Sequence, residues 1–215
     1  DDFSIQFNNN YTRSDQYRDN NDYKLDSTSI NVSSMNDEGV FTFMKLKKYD
    51  EDIRLPGYIS KTDYFLNPKQ TKESFAFTRD ELSSLEVGYN GLYVGEFQTS
   101  GSISLSEKAS ISYFDYSRYY SGSHSSDASN QYDYNTIQGY KNGQYKSTLF
   151  NLPISYKMGI DFYNSYYSDK VILGSYYKRT ANQITFDPWF VSQISFRNDF
   201  DFEAGIRHHF YKLDV

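Results

Sequence analysis

From Phe150 to Phe162 every second residue is apolar or aromatic: Phe150, Leu152, Ile154, Tyr156, Met158, Ile160 and Phe162. Between them stand Asn151, Pro153, Ser155, Lys157, Gly159 and Asp161. Period-two alternation predicts a β-strand with one oily and one wet face. At about 3.3 Å per residue the run reaches roughly 40 Å, enough to cross a bilayer even when tilted, whereas sandwich strands are usually only about 5–6 residues long. The stretch Phe200–Phe210 repeats the pattern, with Phe200, Phe202, Ala204, Ile206, His208 and Phe210 on one side. Asp201, Glu203, Gly205, Arg207 and His209 fall on the other. An oily strand face meets either a second sheet or lipid, and in lipid the charged face lines a watery lumen. Strand length favours lipid.

Shorter stretches of the same alternation fill the rest of the chain. Phe3, Ile5, Phe7 and Tyr11 predict a first strand, followed by a polar loop over Ser14–Asp22 and a second strand over Tyr23–Met35. Asn36-Asp37-Glu38-Gly39 predicts a tight turn, because these residue types tolerate left-handed backbone. Val40–Tyr49 predicts a third strand, and Asp50–Asp80, with its Pro56-Gly57 and Asn67-Pro68 breakers, a long loop. Asn90-Gly91 is a strong hairpin signal. Ser106-Glu107-Lys108, Asn142-Gly143 and Tyr166–Lys170 predict further turns, and Ser121–Gln131 a polar loop. Arg197-Asn198-Asp199 then reverses into the closing strand. The sum is roughly ten to twelve strands with no helical periodicity. The expected fold is all-β, a single domain over 1–215 forming a transmembrane antiparallel up-and-down β-barrel. Closure would also remove the long aromatic edges that promote aggregation.

Composition agrees with that expectation. Hydrophobic residues make up 38% of 215 and mean hydropathy is -0.76, polar for a core of that size. Yet aromatics reach 19%, with 23 Tyr and 17 Phe, whereas disordered chains are poor in them. A membrane barrel reconciles the two, since half of each strand faces water and aromatic girdles mark the interfaces. No apolar run approaches the roughly 20 residues of a membrane helix. The absence of Cys excludes disulfides and thiolate metal sites. A net charge of -6 gives no pull toward nucleic acid. The chain begins at Asp1 without a signal-peptide pattern, so a mature or trimmed form is expected.

Glu203, Gly205, His208 and Phe210 bring a family into view. Their spacing resembles the C-terminal assembly signal of Gram-negative outer-membrane β-barrels, in which a polar residue, a glycine and two late hydrophobics precede a terminal aromatic. His208 stands where a hydrophobic is usual, and Tyr211–Val215 extend past the usual end. The resemblance implies an outer-membrane location, contact with outer-membrane lipid and lipopolysaccharide, and recognition by the barrel-assembly machinery. On the wet faces, Lys157 and Asp161 share one strand, and Asp201, Glu203, Arg207 and His209 another; these six are the candidate lumen-lining residues. Mixed charges on an inner wall can filter solutes; paired with one another they plug a small lumen instead.

His124 in Ser123-His124-Ser125-Ser126-Asp127 resembles the His-x-Ser motif of the lipid A deacylase barrels, but in a Ser-rich loop it reads first as a solvated histidine. The outer-membrane proteases, another similar class, use an Asp-His pair, and the residues before His124 and His208 are Ser123 and Arg207. Catalytic residues, metal and cofactor are therefore not expected. The leading expectation is a narrow passive channel for small polar or charged solutes, oligosaccharides among them because tyrosines suit sugar contact. The alternative is a non-conducting barrel that anchors, or serves as a subunit of, an envelope secretion or polysaccharide-export assembly, with other envelope proteins as partners.

Overall fold

The computed structural model describes residues 2–15, 17–55, 61–70, 76–115, 127–173, 178–196 and 200–215. Within them the chain forms one antiparallel sheet. Its strands are β1 (Asp2–Asp15), β2 (Asp22–Met35), β3 (Phe41–Arg54), β4 (Phe77–Val94), β5 (Phe97–Asp115), β6 (Asp127–Leu149), β7 (Leu152–Leu173), β8 (Lys178–Phe196), β9 (Phe200–Arg207) and β10 (Phe210–Asp214). Each pairs with its sequence neighbour up to β8, and both β9 and β10 pair with β8. The last two keep one register, Trp189 opposite Arg207 and Phe186 opposite Phe210. The His208 amide still donates to the Pro188 carbonyl at 3.0 Å. Pro188 has no N–H to return that bond, and this divides what is otherwise a single strand. The sheet therefore has nine lateral positions, and β1 is not paired with β9 or β10: it is open.

Register shows why these residues build a sheet with two different faces. One row crosses all nine positions as Ile5, Val32, Met44, Val87, Ile103, Gly139, Phe162, Phe186 and Phe210. The single gap is filled, since a Cβ on Gly139 would lie 2.7 Å from the Phe162 ring. One residue further along each strand, on the opposite face, runs Gln6, Asn31, Lys45, Glu86, Ser104, Gln138, Tyr163, Thr185 and Tyr211. A period-two pattern kept in step over nine strands separates an apolar belt from a polar wall.

Among the described residues no second layer covers the belt. Substantial contacts join only laterally adjacent strands, and Met158 and Ile160 each remain 41% exposed. Ala76, Ile154 and Val171 are the buried hydrophobics among the described residues, far too few for a soluble core. A sandwich is excluded, because its inner faces interdigitate.

The connections differ between the two ends. Those after β1, β3, β5 and β7 are 16–21, 55–76, 116–126 and 174–177, whereas those after β2, β4, β6 and β8 are 36–40, 95–96, 150–151 and 197–199. The tight ends use left-handed backbone: Phe150 and Asn151 at φ 50° and 62°, Gly95 at 63° and Gly39 at 78°. At the other end the β1–β2 connection docks on the β3–β4 connection. Asp19 N–H donates to the Lys69 carbonyl at 2.7 Å, and Asn20 Nδ2 donates to the Leu55 and Ala76 carbonyls at 3.0 and 3.2 Å.

Several expected boundaries shift. The loop expected over Asp50–Asp80 is shorter, since β3 runs to Arg54 and β4 starts at Phe77, and it contains a one-and-a-half-turn helix, α1 (Lys61–Leu66), that no periodicity announced. Asn90-Gly91 is not a hairpin turn. Gly91, at φ 86°, forms a bulge between Asn90 and Leu92, and the chain reverses at Gly95-Glu96. Ser106-Glu107-Lys108 and Tyr166–Lys170 lie inside β5 and β7, which run past the belt where polar residues are tolerated on both faces, and Asn142-Gly143 lies inside β6, opposite Gly159 and Met158.

Candidate functional site

The polar wall is the candidate site, and its densest chemistry lies where β7, β8 and the last strand meet. Asp161 on β7 and Asp187 on β8 are direct cross-strand partners. Two like charges so placed repel, and Arg207 on β9 answers both. Its Nη2 lies 2.7 Å from Asp187 Oδ2 and 3.1 Å from Asp161 Oδ2. His209 Nδ1 lies 2.6 Å from the other oxygen of Asp187. The Asp187 carboxylate is thus engaged at both oxygens and is buried, while Arg207 and His209 stay more than half exposed toward the wall.

Three of the six candidate lining residues, Asp161, Arg207 and His209, therefore come together: Arg207 bridges Asp161 to Asp187, and Asp187 holds His209. Asp187 was not among the residues singled out from the sequence. The signal was there: Thr185, Asp187, Trp189, Val191 and Gln193 alternate with Ile184, Phe186, Pro188 and Phe190. The other three candidates share the polar face without joining the cluster. Lys157 stands opposite Gln144 and Val191, Asp201 accepts a hydrogen bond from Gln193 Nε2 at 3.1 Å, and Glu203 stands opposite Gln193.

Other charges on this face are tied across strands in the same way. Lys45 pairs with its partner Glu86 at 3.2 Å, Lys108 with Asp80 at 2.8 Å, and Arg179 with its partner Asp169 at 2.9 Å. Near the end with long connections the wall is also aromatic. Tyr167 stacks on Tyr132, with centroids 6.3 Å apart, and packs at a tilt against Tyr134, 4.9 Å away. Burial pushes the Tyr167 phenol up to about 12, and Asp169, Tyr134 and Tyr132 add to the shift.

The four residues of the assembly signal divide between the faces. Glu203 and Gly205 lie on the polar side, whereas Phe210 meets Phe186 on the apolar side and the His208 ring packs edge-on against Phe210 at 4.3 Å. Gly205 allows a close approach, since a Cβ there would fall 2.9 Å from the Phe190 carbonyl. His124 and Ser126 lie outside the described residues. Among the described residues no group of three His, Asp or Glu side chains is placed to hold a metal.

No family model matches the chain, and no curated protein matches it in sequence. Among solved structures the fold is similar to the ferric citrate transporter FecA in its unliganded form, with a TM-score of 0.76 at 12% identity. That match covers 98% of this chain and 36% of the transporter, so the chain spans about a third of its length. The shared architecture is an up-and-down antiparallel sheet, each strand paired with its neighbour in sequence.

Proposed function

We propose that this sheet is the wall of an outer-membrane transport barrel, with its apolar belt in lipid and its polar face along an aqueous path for small polar or charged solutes. One observation carries the reading. An apolar row, with Gly139 its single gap, and a polar row lie on opposite faces across all nine strand positions, and among the described residues no protein layer covers the apolar one. Only hydrocarbon on one side and water on the other satisfies both. The difference between the two ends supports an orientation, because outer-membrane barrels keep short turns in the periplasm and longer loops outside. The tight ends at 36–40, 95–96 and 150–151 are then periplasmic.

The wall suits solute passage through its chemistry. Serine, asparagine, glutamine and tyrosine exchange hydrogen bonds with a passing solute, and charges of both signs, held rigid by their cross-strand partners, set up a transverse field. The similar solved structure is named for a ferric citrate transporter; for this chain the solute class is set by the wall itself, polar and of either charge. Planar-bilayer recording of the protein purified intact from the membranes in which it is made tests the reading. Discrete conductance steps are expected, and silence in every preparation that is folded and inserted transfers the wall to the anchor role.

A further inference from the structure

Where β6 crosses the belt, the oily face gives way. Its residues on that side run Ile137, Gly139, Lys141, Gly143 and Tyr145. On the short-turn side of the row that contains Ile137, Lys141 is the only Lys, Arg, Asp or Glu on the belt face among the described strand residues. Its cross-strand neighbours are Gly101 on β5 and Ile160 on β7, so nothing beside it can serve as a counter-ion. Among the described residues no ion pair or hydrogen bond holds its ammonium, and the side chain is exposed. β6 is paired on both sides, so this exposure belongs to the face and not to an edge. A lone charge on a face turned to hydrocarbon is costly unless an anion or water meets it.

The surroundings fit one kind of guest. Beside Lys141 lies a groove of about 410 Å³ lined by Val94, Phe97, Thr99, Gly143, Met158 and Ile160. Gly143 leaves it open, since even a Cβ there would stand 3.6 Å from Phe97 Cδ1 and 3.7 Å from Thr99 Cγ2. Toward the short turns the groove meets a row of rings, Phe97, Tyr145, Tyr156 and Phe190, with successive centroids 5.4, 6.3 and 6.1 Å apart. Aromatic girdles of this kind mark the interface between hydrocarbon and headgroups. Lys141 is four residues from Tyr145, which is about 13 Å of strand, and strand tilt lessens the depth. A lysine stem lies along apolar surface and carries its ammonium toward the interface. The anion at that level is the lipid phosphate. A second copy of this chain in the same orientation offers none, because its belt face carries no carboxylate at this depth among the described residues.

We propose that Lys141 and this groove hold one phospholipid of the leaflet on the short-turn side, its phosphate on the ammonium and the first part of an acyl chain along Phe97, Met158 and Ile160. The phosphate converts an uncompensated charge into a charge-assisted hydrogen bond, and the apolar walls receive the chain that follows it. The proposal rests on the membrane reading above.

The test uses the protein purified intact, in mild detergent, from the membranes in which it is made. Carbonate extraction of those membranes comes first. Release into the soluble fraction defeats the membrane reading, and this proposal with it. If the protein stays inserted, native mass spectrometry counts the lipids it retains. A retained phospholipid is expected, with occupancy at least about fivefold lower in Lys141→Met, which keeps an unbranched stem and removes the charge, and restored in Lys141→Arg. No retained phospholipid, lipopolysaccharide in its place, or equal occupancy in Lys141→Met overturns the proposal while leaving the membrane reading intact. The chain contains no Cys, so Met158→Cys carrying a photoreactive maleimide reports the guest with Lys141 untouched. A phospholipid adduct is expected, and a protein adduct, whether with a second copy or with another chain, overturns the proposal. The capture needs no change at Lys141, so it stands even if the lysine variants fail to fold.

Discussion

Replacing Gly159 by alanine adds one methyl group beneath the only tryptophan of the chain. Gly159 and Trp189 are cross-strand partners on the polar wall. A Cβ at 159 would lie 2.5 Å from Trp189 Cζ2 and 2.7 Å from Cε2, against an ordinary contact of 3.4–4 Å. The backbone at Gly159 is not left-handed, so strain from φ does not enter. Asn142 Cβ, 3.0 Å away on the β6 side, hinders escape in that direction. The indole must therefore move by close to an ångström or lift off the sheet. Overpacking of this kind costs about 1–3 kcal/mol. The matched control is Gly143→Ala on β6, where the nearest atoms, Phe97 Cδ1 and Thr99 Cγ2, lie at 3.6 and 3.7 Å. That change should fall within about 0.5 kcal/mol of zero. Urea unfolding of the reconstituted protein, followed by intrinsic tryptophan fluorescence, reads both the stability and the site. Gly159→Ala should unfold at lower urea with native emission shifted to the red, and Gly143→Ala should do neither. Equal stability for the two variants with unchanged emission would refute the packing argument.

Three further outcomes follow from the wall. Asp187→Asn releases Arg207 and His209 from their shared carboxylate, leaving a freer cation on the wall; the reversal potential in a salt gradient should move toward anions, and no movement would remove the cluster from the solute path. Tyr167, on the wall above the belt, favours the neutral phenol in the fold because its pKa is raised from 10.0 to about 12. Its contribution to stability is therefore complete below about pH 10 and lost as pH rises through about 12, and Tyr167→Phe should flatten that stretch of a stability-against-pH curve. Pro188→Ala supplies the missing N–H opposite the His208 carbonyl and should stabilise the sheet by about 0.5–1.5 kcal/mol, with slower hydrogen exchange across 207–210.

The faces of this sheet were legible because they depend on parity alone. Leu85 and Val87, Ile103 and Leu105, and Met158 and Ile160 each lie where alternation put them, since a slip of one residue would turn a whole strand over. Strand ends were not legible, because the signals for a turn and for an irregular strand are chemically the same. Asn90-Gly91 supplies positive φ, and a bulge uses positive φ as readily as a type I′ turn does. The actual turn at Phe150-Asn151 puts a phenylalanine at φ 50°, which no residue preference foretells. Of the charged cluster, Asp161, Arg207 and His209 were visible as wet-face residues on two strands. That the strands bearing them flank a third, whose Asp187 binds Arg207 and His209 beside Asp161, is a fact of lateral order, and residues 20–26 positions apart carry no local trace of it.

If the belt lies in lipid as proposed, the overhang beyond it marks where the hydrocarbon stops. On the belt-bearing face of β2, β3 and β4, toward the long connections, Asp26, Asp50 and Glu81 stand directly opposite one another. Three carboxylates in register are destabilising taken alone. They are tolerated because adjacent rows bring cations: Lys48 lies 3.4 Å from Asp50, while Arg79 and Arg54 reach Asp52 at 2.9 and 3.5 Å. Rows of alternating sign need water around them, since desolvating each ion costs several kcal/mol. The row Asn9, Thr28, Lys48, Ser83, Glu107 and Asn135 already carries two charges, whereas the neighbouring row toward the short turns, Phe7, Ile30, Leu46, Leu85, Leu105 and Ile137, carries none. The membrane boundary on these strands therefore falls between those two rows. On that reading the strand ends beyond the boundary, with the hydrogen bonds that Asp19 and Asn20 make to the β3–β4 connection, stand in water.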